Sequence, residues 1–442
     1  MTKKIIFVHP RIDYEDNYPC SWIPYGILSI ASKIRSMQVT EQYDVQIYDE
    51  NIESIKLVDK YDFKNDNILF VGFSVMTGGG QIRRATNMAK EIKNKNNKIK
   101  IVFGGPHVNV LPKLTLDNDY IDYVSCGPGQ NSIIELLNAI EGNVQFDKVP
   151  GLMTKLNDGD YVCGPQNNLT RDTMVKYDYS LIDVSKYIQR DNTIASRTIN
   201  YISTQGCVYS CRFCYETNYK RRYCKLPIEI VMNDIEMLYN RYNINGIKFY
   251  DADWFVDVKR ATALSDFISK FNISWAASIN PQDVLRDEKK GGEMMNSLRK
   301  SGCTRLLMGM ESGCDRVLSK IVNKCVDKHE LYKSAEIIAN HGILGSYTFI
   351  IGFPYETMDE INETFNFIKE LWQLNPQPET RVHVYTPYPG TALYLDSLKC
   401  GFVPPLTLEE WSDFDYYKVQ MPWVDKKLEE ALHMFTRQLP KK

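Results

Sequence analysis

The sequence lacks an excess of charge of either sign, because 53 Lys and Arg residues are balanced by 55 Asp and Glu residues. A protein without a strong net field is not drawn to nucleic acid or to an anionic membrane by charge alone. It also lacks the run of about 20 apolar residues that a membrane-spanning helix needs. We therefore expect a soluble, cytoplasmic protein with a small-molecule or peptide substrate, and neither nucleic acid nor a membrane as partner.

An even set of cysteines that could pair as disulfides is also missing, since the chain has 11 Cys. Three of them lie within the eight residues 207–214, a crowding that does not suit a secreted disulfide framework. Reduced thiols, some of them metal ligands, are the better interpretation. The remaining cysteines show no ligand spacing and are expected to be ordinary buried or half-buried thiols.

What the sequence has is a repeated alternation of short apolar runs with helical patterns, over a length that suits two domains. In the first part, from Lys4 to about Gly142, this alternation predicts a flavodoxin-like or Rossmann-like, doubly wound parallel sheet. The predicted strands are IIFV (5–8), VQIY (45–48), ILFVGFSV (68–75), IKIVFG (99–104) and IDYVS (121–125).

The alternation weakens and then resumes near Asn200, which predicts a second α/β domain. Six strand–helix units are expected there, so we predict a partial (β/α)6 TIM-type barrel rather than a closed barrel of eight strands. The predicted organisation is a first domain at 1–145, a linker containing a small hairpin at 146–198, the partial barrel at 199–390, and an extension at 391–442 that closes with a helix at 427–438.

Three cysteines form a C-x3-C-x2-C motif at Cys207, Cys211 and Cys214, directly after a predicted barrel strand. Loops that follow barrel strands assemble active sites. Three thiolates fill three corners of a [4Fe–4S] cube and leave one iron open for a further ligand. A zinc knuckle is the alternative, with Cys224 as its nearest candidate for a fourth ligand.

This loop, with Gly206 before its first cysteine and Phe213 before its last, resembles the radical SAM superfamily. The resemblance implies that S-adenosylmethionine chelates the open iron and is cleaved to a 5′-deoxyadenosyl radical. It implies that Phe213 belongs to an apolar pocket around the cofactors.

Further segments resemble the same family at the ends of later strands. The resemblance implies that Asp251 and Asp253 in FYDADWF and Glu311 in LLMGMESG are polar contacts to S-adenosylmethionine. In FIIGFPYET, Gly352 and Pro354 would lie beside its adenine, and Pro354 with Glu356 would start the next helix. For the two aspartates, a role as a helix N-cap stays open.

The first domain resembles the cobalamin-binding domain of the B12-dependent radical SAM family, through the loops GFSVMTGGG and GGPHVNVLP. No Asp-x-His-x-x-Gly motif occurs, so the resemblance implies cobalamin with its base detached and no histidine on cobalt. For His107 an ordinary buried loop position stays open, and for the whole domain a nucleotide-binding or scaffolding sheet does. The implied cobalamin contacts are Ser74, Thr77, Gly78, Gly79, Gly105 and His107.

Together these resemblances imply a cobalamin-dependent radical SAM methyltransferase that acts on an unactivated carbon or a similarly poor nucleophile. Its cofactors would be a [4Fe–4S] cluster, S-adenosylmethionine and cobalamin, and a reductase, flavodoxin or ferredoxin would donate the electron. Two alternatives remain: a cobalamin-dependent cyclase or rearrangement enzyme that transfers no methyl group, and a non-catalytic iron–sulfur or corrinoid carrier. The substrate is expected between the two domains.

Overall fold

The computed structural model describes residues 2–12, 21–37, 42–156, 158–414, 421–424, 426 and 430. The chain divides into two compact units, of which the first is residues 1–187 with 404–415 and the second is residues 188–403 with 416–442. The C-terminal helix expected at 427–438 lies outside the described residues apart from Glu430, as does Cys20. Within the described ranges, no helix is both long enough and apolar enough to cross a membrane.

The first unit is built on one mixed sheet. Its strands are β1 (Lys3–His9), β2 (Tyr43–Asp49), β3 (Ile68–Ser74), β4 (Lys100–Gly104), β5 (Tyr123–Ser125), β6 (Leu152–Lys155) and β7 (Tyr161–Cys163). Its helices are α1 (Tyr25–Arg35), α2 (Leu57–Lys60), α3 (Gly80–Lys95), α4 (Pro106–Val110), α5 (Pro112–Leu116), α6 (Gly129–Ile140) and, from the later segment, α14 (Leu408–Trp411).

The described strands of this sheet run in the order β2-β1-β3-β4-β5-β6-β7, and the first five in that order are parallel. This order is the flavodoxin-like one, so the predicted fold class is confirmed. The apolar runs are continuous because the central strands are buried on both faces: Ile5, Ile6 and Val8 of β1 are all 0 % exposed. The expected hairpin is present as β6 and β7, which extend the sheet in antiparallel fashion. Residues 146–187, expected as a linker, therefore belong to the first unit.

The second unit contains a curled sheet covered by helices. Its strands are β8 (Gln189–Asp191), β9 (Ala195–Tyr201), β10 (Thr204–Gly206), β11 (Tyr223–Lys225), β12 (Gly246–Phe249), β13 (Ser274–Ser278), β14 (Cys303–Glu311), β15 (Leu344–Ile351) and β16 (Glu379–Val384). Its helices are α7 (Ile228–Tyr242), α8 (Val258–Ile268), α9 (Pro281–Glu288), α10 (Glu293–Lys300), α11 (Lys328–Asn340), α12 (Met358–Leu371) and α13 (Ala392–Lys399).

Among the described residues this sheet has the order β16-β15-β14-β13-β12-β9-β8. Its six strands from β16 to β9 are parallel, β8 is antiparallel, and each parallel strand is followed by a helix, which confirms the partial barrel. Local sequence fixes where the helices begin. Asp327 with Glu330, and Thr357 with Glu360, form capping boxes that satisfy the first amides of α11 and α12.

Candidate functional site

The three-cysteine loop connects two short antiparallel strands that fix both of its ends. Gly206 of β10 pairs with Tyr223 of β11, so residues 207–222 form the connection of a hairpin. Cys207, Cys211 and Cys214 are each partly exposed within this loop, and the Cys214 amide donates to the Cys211 carbonyl oxygen over 3.1 Å. The motif is therefore ordered by its own strands rather than by the end of β9 alone.

Segments that follow later strands hold this loop from outside. The Arg212 amide donates to the Val322 carbonyl oxygen over 2.9 Å, and the Arg212 carbonyl oxygen accepts from the Leu393 amide over 3.0 Å. The Arg212 guanidinium also lies 2.6 Å from an Asp396 carboxylate oxygen. The Asn323 side-chain amide donates to the carbonyl oxygen of Ser210 over 3.2 Å. The middle of the cysteine motif is thus fixed by residues more than 100 positions away in sequence.

The donor set of this loop fits an iron–sulfur cube. Burial raises the pKa of Cys207 to about 11 and that of Cys214 to about 12, so the thiols need a strongly positive partner to ionise. Within the described ranges no three His, Cys, Asp or Glu side chains converge as ligands of a single ion. Each thiolate of a cube binds a different iron, so a cluster does not require the three sulfurs to converge on one ion. Cys224, the fourth ligand of the zinc alternative, is buried in β11 and donates to the Gln205 carbonyl oxygen.

Glu311 ends β14 in a buried ion pair that the sequence alone did not reveal. The Lys324 ammonium lies 3.0 Å from a Glu311 carboxylate oxygen, and the two residues are only 7 % and 5 % exposed. Burial would lower the pKa of Lys324, but Glu311 and the Cys211 thiolate outweigh it and raise that pKa. Glu311 has a φ of 67°, a costly conformation for a residue with a side chain. A backbone in a strained conformation thus holds the Glu311 carboxylate beside the cysteine loop.

Asp251 and Asp253 follow β12, and neither caps a helix. The N-cap of α8 is Asp257, which accepts from the Arg260 amide. Asp251 is buried and accepts from the amide of Ser203 over 3.1 Å and from its hydroxyl over 2.8 Å, so it fixes the connection after β9. Burial raises the pKa of Asp253, and Asp283 adds to that effect. A side-chain hydrogen bond with Asp283 contributes to this raised pKa, so Asp253 is held protonated against a second acid rather than as a free carboxylate.

The loop after β15 is closed on itself by the half-buried side chain of Glu356. The amides of Gly352 and Phe353 donate to Glu356 over 2.6 and 3.0 Å, and burial raises the pKa of Glu356 to about 8. Pro354 with Glu356 was expected to start the next helix, and this expectation is wrong: α12 starts at Met358 because Thr357 is its N-cap. Phe213 packs against Phe353 with ring centroids 6.2 Å apart, so the cysteine loop and this loop share one apolar surface.

The first unit contains a small cavity beside the carboxyl ends of its strands. The cavity has a volume of about 70 Å³, and its lining includes Ser74 and Gly105, two of the expected cobalamin contacts. Gly127 and Gly129 of the next loop also line it. A crevice at the carboxyl ends of a doubly wound sheet is the usual ligand position. The glycine-lined cradle therefore fits part of a bulky cofactor.

A side chain at Gly105 would collide with backbone beside this cavity, and its φ of 93° strains any other residue. A Cβ atom there would lie 2.8 Å from both the amide nitrogen and the carbonyl oxygen of Val75. We expect Gly105→Ala to destabilise the protein by roughly 1–3 kcal/mol and to lower the cobalamin retained after reconstitution with hydroxocobalamin.

Gly26→Ala is the matched control for Gly105→Ala. Gly26 lies in α1 with no atom within 4 Å of the added Cβ, so the change should stabilise by about 0.5–1 kcal/mol. Thermal unfolding and the absorption of bound cobalamin measure both variants. If both substitutions changed thermal stability and bound cobalamin equally, Gly105 would not be part of the cobalamin site.

The remaining expected cobalamin contacts are covered by residues 404–414, which belong to the first unit. The Gly79 amide donates to the Trp411 carbonyl oxygen over 3.0 Å, and a Cβ at Gly78 would lie 2.5 Å from the Phe414 carbonyl oxygen. His107 is 0 % exposed and packs edge-on against Trp411, and burial lowers its pKa to about 4. Within the described ranges, the hydroxyl of Thr77, both ring nitrogens of His107 and the indole nitrogen of Trp411 have no hydrogen-bond partner. Such orphaned polar atoms fit a ligand with a polar periphery.

Comparison with known proteins identifies both units. Residues 201–368 match the family model of the radical SAM superfamily, and residues 16–137 match that of the B12 binding domain. An uncharacterized methyltransferase of Pyrococcus horikoshii is 28 % identical over 84 % of this chain and 77 % of its own length. The anaerobic magnesium-protoporphyrin IX monomethyl ester cyclase of Rubrivivax gelatinosus is 23 % identical over 91 % of this chain and 73 % of its own.

A solved structure has the same fold over nearly the whole chain. The radical S-adenosylmethionine methyltransferase TsrM of Kitasatospora setae, with cobalamin and a [4Fe–4S] cluster bound, aligns with a TM-score of 0.71. It is 17 % identical, and the alignment covers 92 % of this chain and 76 % of that one. The predicted resemblance and the predicted enzyme class are confirmed: the chain belongs to the radical SAM superfamily and, within it, to the enzymes that carry a B12-binding domain.

Proposed function

We propose that this protein is a cobalamin-dependent radical SAM methyltransferase that transfers a methyl group to a carbon or a similarly poor nucleophile of its substrate. The observation that carries the proposal is the ordered three-cysteine loop in a chain whose first unit matches the B12 binding domain. The methyltransferase name of the Pyrococcus relative, which aligns with 84 % of the chain, supports the choice of reaction. When bound, the cluster and S-adenosylmethionine supply a 5′-deoxyadenosyl radical, and cobalamin supplies the methyl group.

The residues of the second unit would bind and orient S-adenosylmethionine at the cysteine loop. Cys207, Cys211 and Cys214 hold the cluster, and Glu311, fixed by Lys324, offers a carboxylate beside it. Asp253, paired with Asp283, adds a polar group, and the backbone at Gly352 and Pro354 offers a surface for the adenine.

A cluster of apolar side chains covers one side of the cysteine loop and limits the access of water there. Phe353 is 0 % exposed, Tyr385 is 2 % exposed, and Phe213 packs against the same cluster. Exclusion of water strengthens every electrostatic contact and protects a radical from side reactions. In the first unit, Ser74 and Gly105 line the cavity, and Thr77 and His107 have polar atoms without a partner among the described residues, which supports these four as cobalamin contacts. Gly78 and Gly79 are proposed with them as part of the same loop, although Phe414 and Trp411 pack against them.

Product mass and isotope tracing test the proposed reaction. The purified protein, reconstituted without oxygen with iron, sulfide and hydroxocobalamin, is incubated with reductant, candidate substrates and S-adenosylmethionine that carries a deuterated methyl group. Methylation should give a substrate heavier by one deuterated methyl group and equal amounts of S-adenosylhomocysteine and 5′-deoxyadenosine. A product without the label would contradict methyl transfer.

A cyclase or rearrangement enzyme is the second candidate, favoured by the similarity to the Rubrivivax cyclase over 91 % of the chain. The same experiment separates the two, since a cyclisation forms 5′-deoxyadenosine and leaves the label on the methionine that is released with it.

We further propose a low-potential reductase, flavodoxin or ferredoxin as electron donor and a reducing compartment such as the cytoplasm. Support comes from the cluster ligands, which must stay reduced thiols, and from the free state of every described cysteine.

A further inference from the structure

The sheet of the second unit has one apolar and one polar face. The apolar face packs against the helices, and its members include Ile247, Trp275, Leu306, Tyr347 and Val382, each at most 5 % exposed. Because side chains alternate along a strand, the residues next to them point to the opposite face. The pairing register aligns Lys248 with Ala276 and Arg305, Leu307 with Ser346 and Glu379, and Thr348 with Arg381. We call this opposite face the inner face.

Most of the charge on the inner face is neutralised within it. Asp191, which ends β8, lies 3.9 Å from Lys248 and 4.0 Å from Arg305. Arg305 also lies 3.7 Å from Glu379. The network therefore contains two cations, Lys248 and Arg305, and two carboxylates, Asp191 and Glu379, so it carries no net charge. Its members are largely withdrawn from solvent, with the Arg305 side chain 9 % and the Asp191 side chain 14 % exposed.

Arg381 adds a positive charge that this network does not compensate. It is exposed on β16 and forms no ion pair with any residue that the structure describes. His383, two positions along the same face, does not add a second charge, because burial and the nearby Arg381 both lower its pKa. An exposed guanidinium on an otherwise neutral face is complementary to an anion, and its planar donors match a carboxylate or a phosphate.

Apolar surface is exposed on the same face. Leu307 is 38 % exposed although it lies in the middle of β14, and Tyr250, directly after β12, is 42 % exposed. Apolar side chains that lie open on the same face as an unpaired cation can contact the apolar portion of a ligand. Anion recognition and apolar contact are thus offered by one face of one sheet.

We propose that the inner face binds a small substrate that carries an anionic group, a carboxylate or a phosphate, together with an apolar portion. Arg381 would pair with the anion, and Leu307 and Tyr250 would contact the apolar portion. This inference rests on the proposed function, since it assigns the substrate class of that enzyme.

Simple aromatic probes test the charge preference. Phenyl phosphate, benzoate and benzylamine are titrated into the anaerobically purified full-length protein, and binding is followed by ligand-observed NMR. Both anions should bind and benzylamine should not. The stronger of the two anions identifies the class of the natural group. Binding of benzylamine as tight as that of the anions would overturn the proposal.

Substitution of Arg381 tests the position. Arg381→Gln should weaken binding of the anions about 10- to 100-fold, as expected for loss of a charge-assisted hydrogen bond. Arg381→Lys keeps the charge but lacks the planar guanidinium group, so its affinity for the anions should lie between that of the wild type and that of Arg381→Gln. The matched control is Arg241→Gln on the exposed side of α7, which should leave binding unchanged. Wild-type binding by Arg381→Gln would refute the assignment.

Cleavage of S-adenosylmethionine separates this inference from the function on which it rests. If the reconstituted wild-type protein forms 5′-deoxyadenosine but binds neither anion, the substrate class is wrong and the enzyme class stands. If it forms no 5′-deoxyadenosine, the proposed function itself fails.

Discussion

Replacement of Cys214 by Ala should lower the formation of 5′-deoxyadenosine by at least ~10³-fold, because residues that act as one unit lose their effect together. With two thiolates left, the loop between β10 and β11 can no longer hold a cube with a single open iron. Iron and acid-labile sulfide per chain should fall in parallel. Both are measured on protein reconstituted without oxygen, and the nucleoside is quantified by chromatography after reduction.

Two cysteine controls sharpen this result. Cys163→Ala changes an exposed thiol of β7 and should leave iron content and cleavage intact. Cys325→Ala is more informative, because Cys325 is exposed yet close to Cys211: burial is the main cause of the raised pKa of Cys211, and Glu311 and Cys325 add to it. It should also retain iron, since its thiol contacts the Asn323 carbonyl oxygen. Loss of the cluster in Cys325→Ala would mean a cube with four side-chain ligands and no open iron.

The largest loss of stability is expected from Lys324→Met. This change leaves the Glu311 carboxylate buried without its cation, and breaking a buried pair in this way costs about 3–5 kcal/mol. Urea unfolding of the cofactor-free protein measures the loss, so the result does not depend on whether cofactors bind.

Lys328→Met is the matched control, because Lys328 pairs with Glu370 at 2.9 Å but both side chains are at least 36 % exposed. It should cost no more than ~1 kcal/mol. The double change Lys324→Met with Glu311→Gln should recover part of the lost stability, because no buried charge remains. If Lys324→Met is as mild as Lys328→Met, the buried pair does not stabilise the protein.

The fold was predictable because its signals are local. Each strand of the first sheet is an apolar run of a few residues, and the spacing of Cys207, Cys211 and Cys214 is contained in eight positions. The loops at Ser74 and Gly105 could be predicted as ligand-binding loops for the same reason, since they lie directly at the ends of strands.

What the sequence did not reveal depends on long-range contacts. No pattern in the sequence around Lys324 indicates its partner. Only the fold brings its ammonium group to the carboxylate of Glu311, 13 positions earlier. Trp411 reaches His107 from a part of the chain about 300 positions away, and no pattern near either residue indicates this contact. The start of α12 was misjudged because Pro354 and Glu356 resemble a helix start, while Thr357 and Glu360 make the stronger capping box.

The return of residues 404–414 to the first unit sets an order of events during synthesis. The ribosome completes residues 1–187 early, but Trp411 and Phe414, which cover Gly78, Gly79 and His107, emerge only after almost the entire second unit. The nascent first unit therefore waits with this surface uncovered until the rest of the chain has been made. A fragment that stops at residue 187 would lack this cover, so a first unit made on its own needs residues 404–415 to be complete.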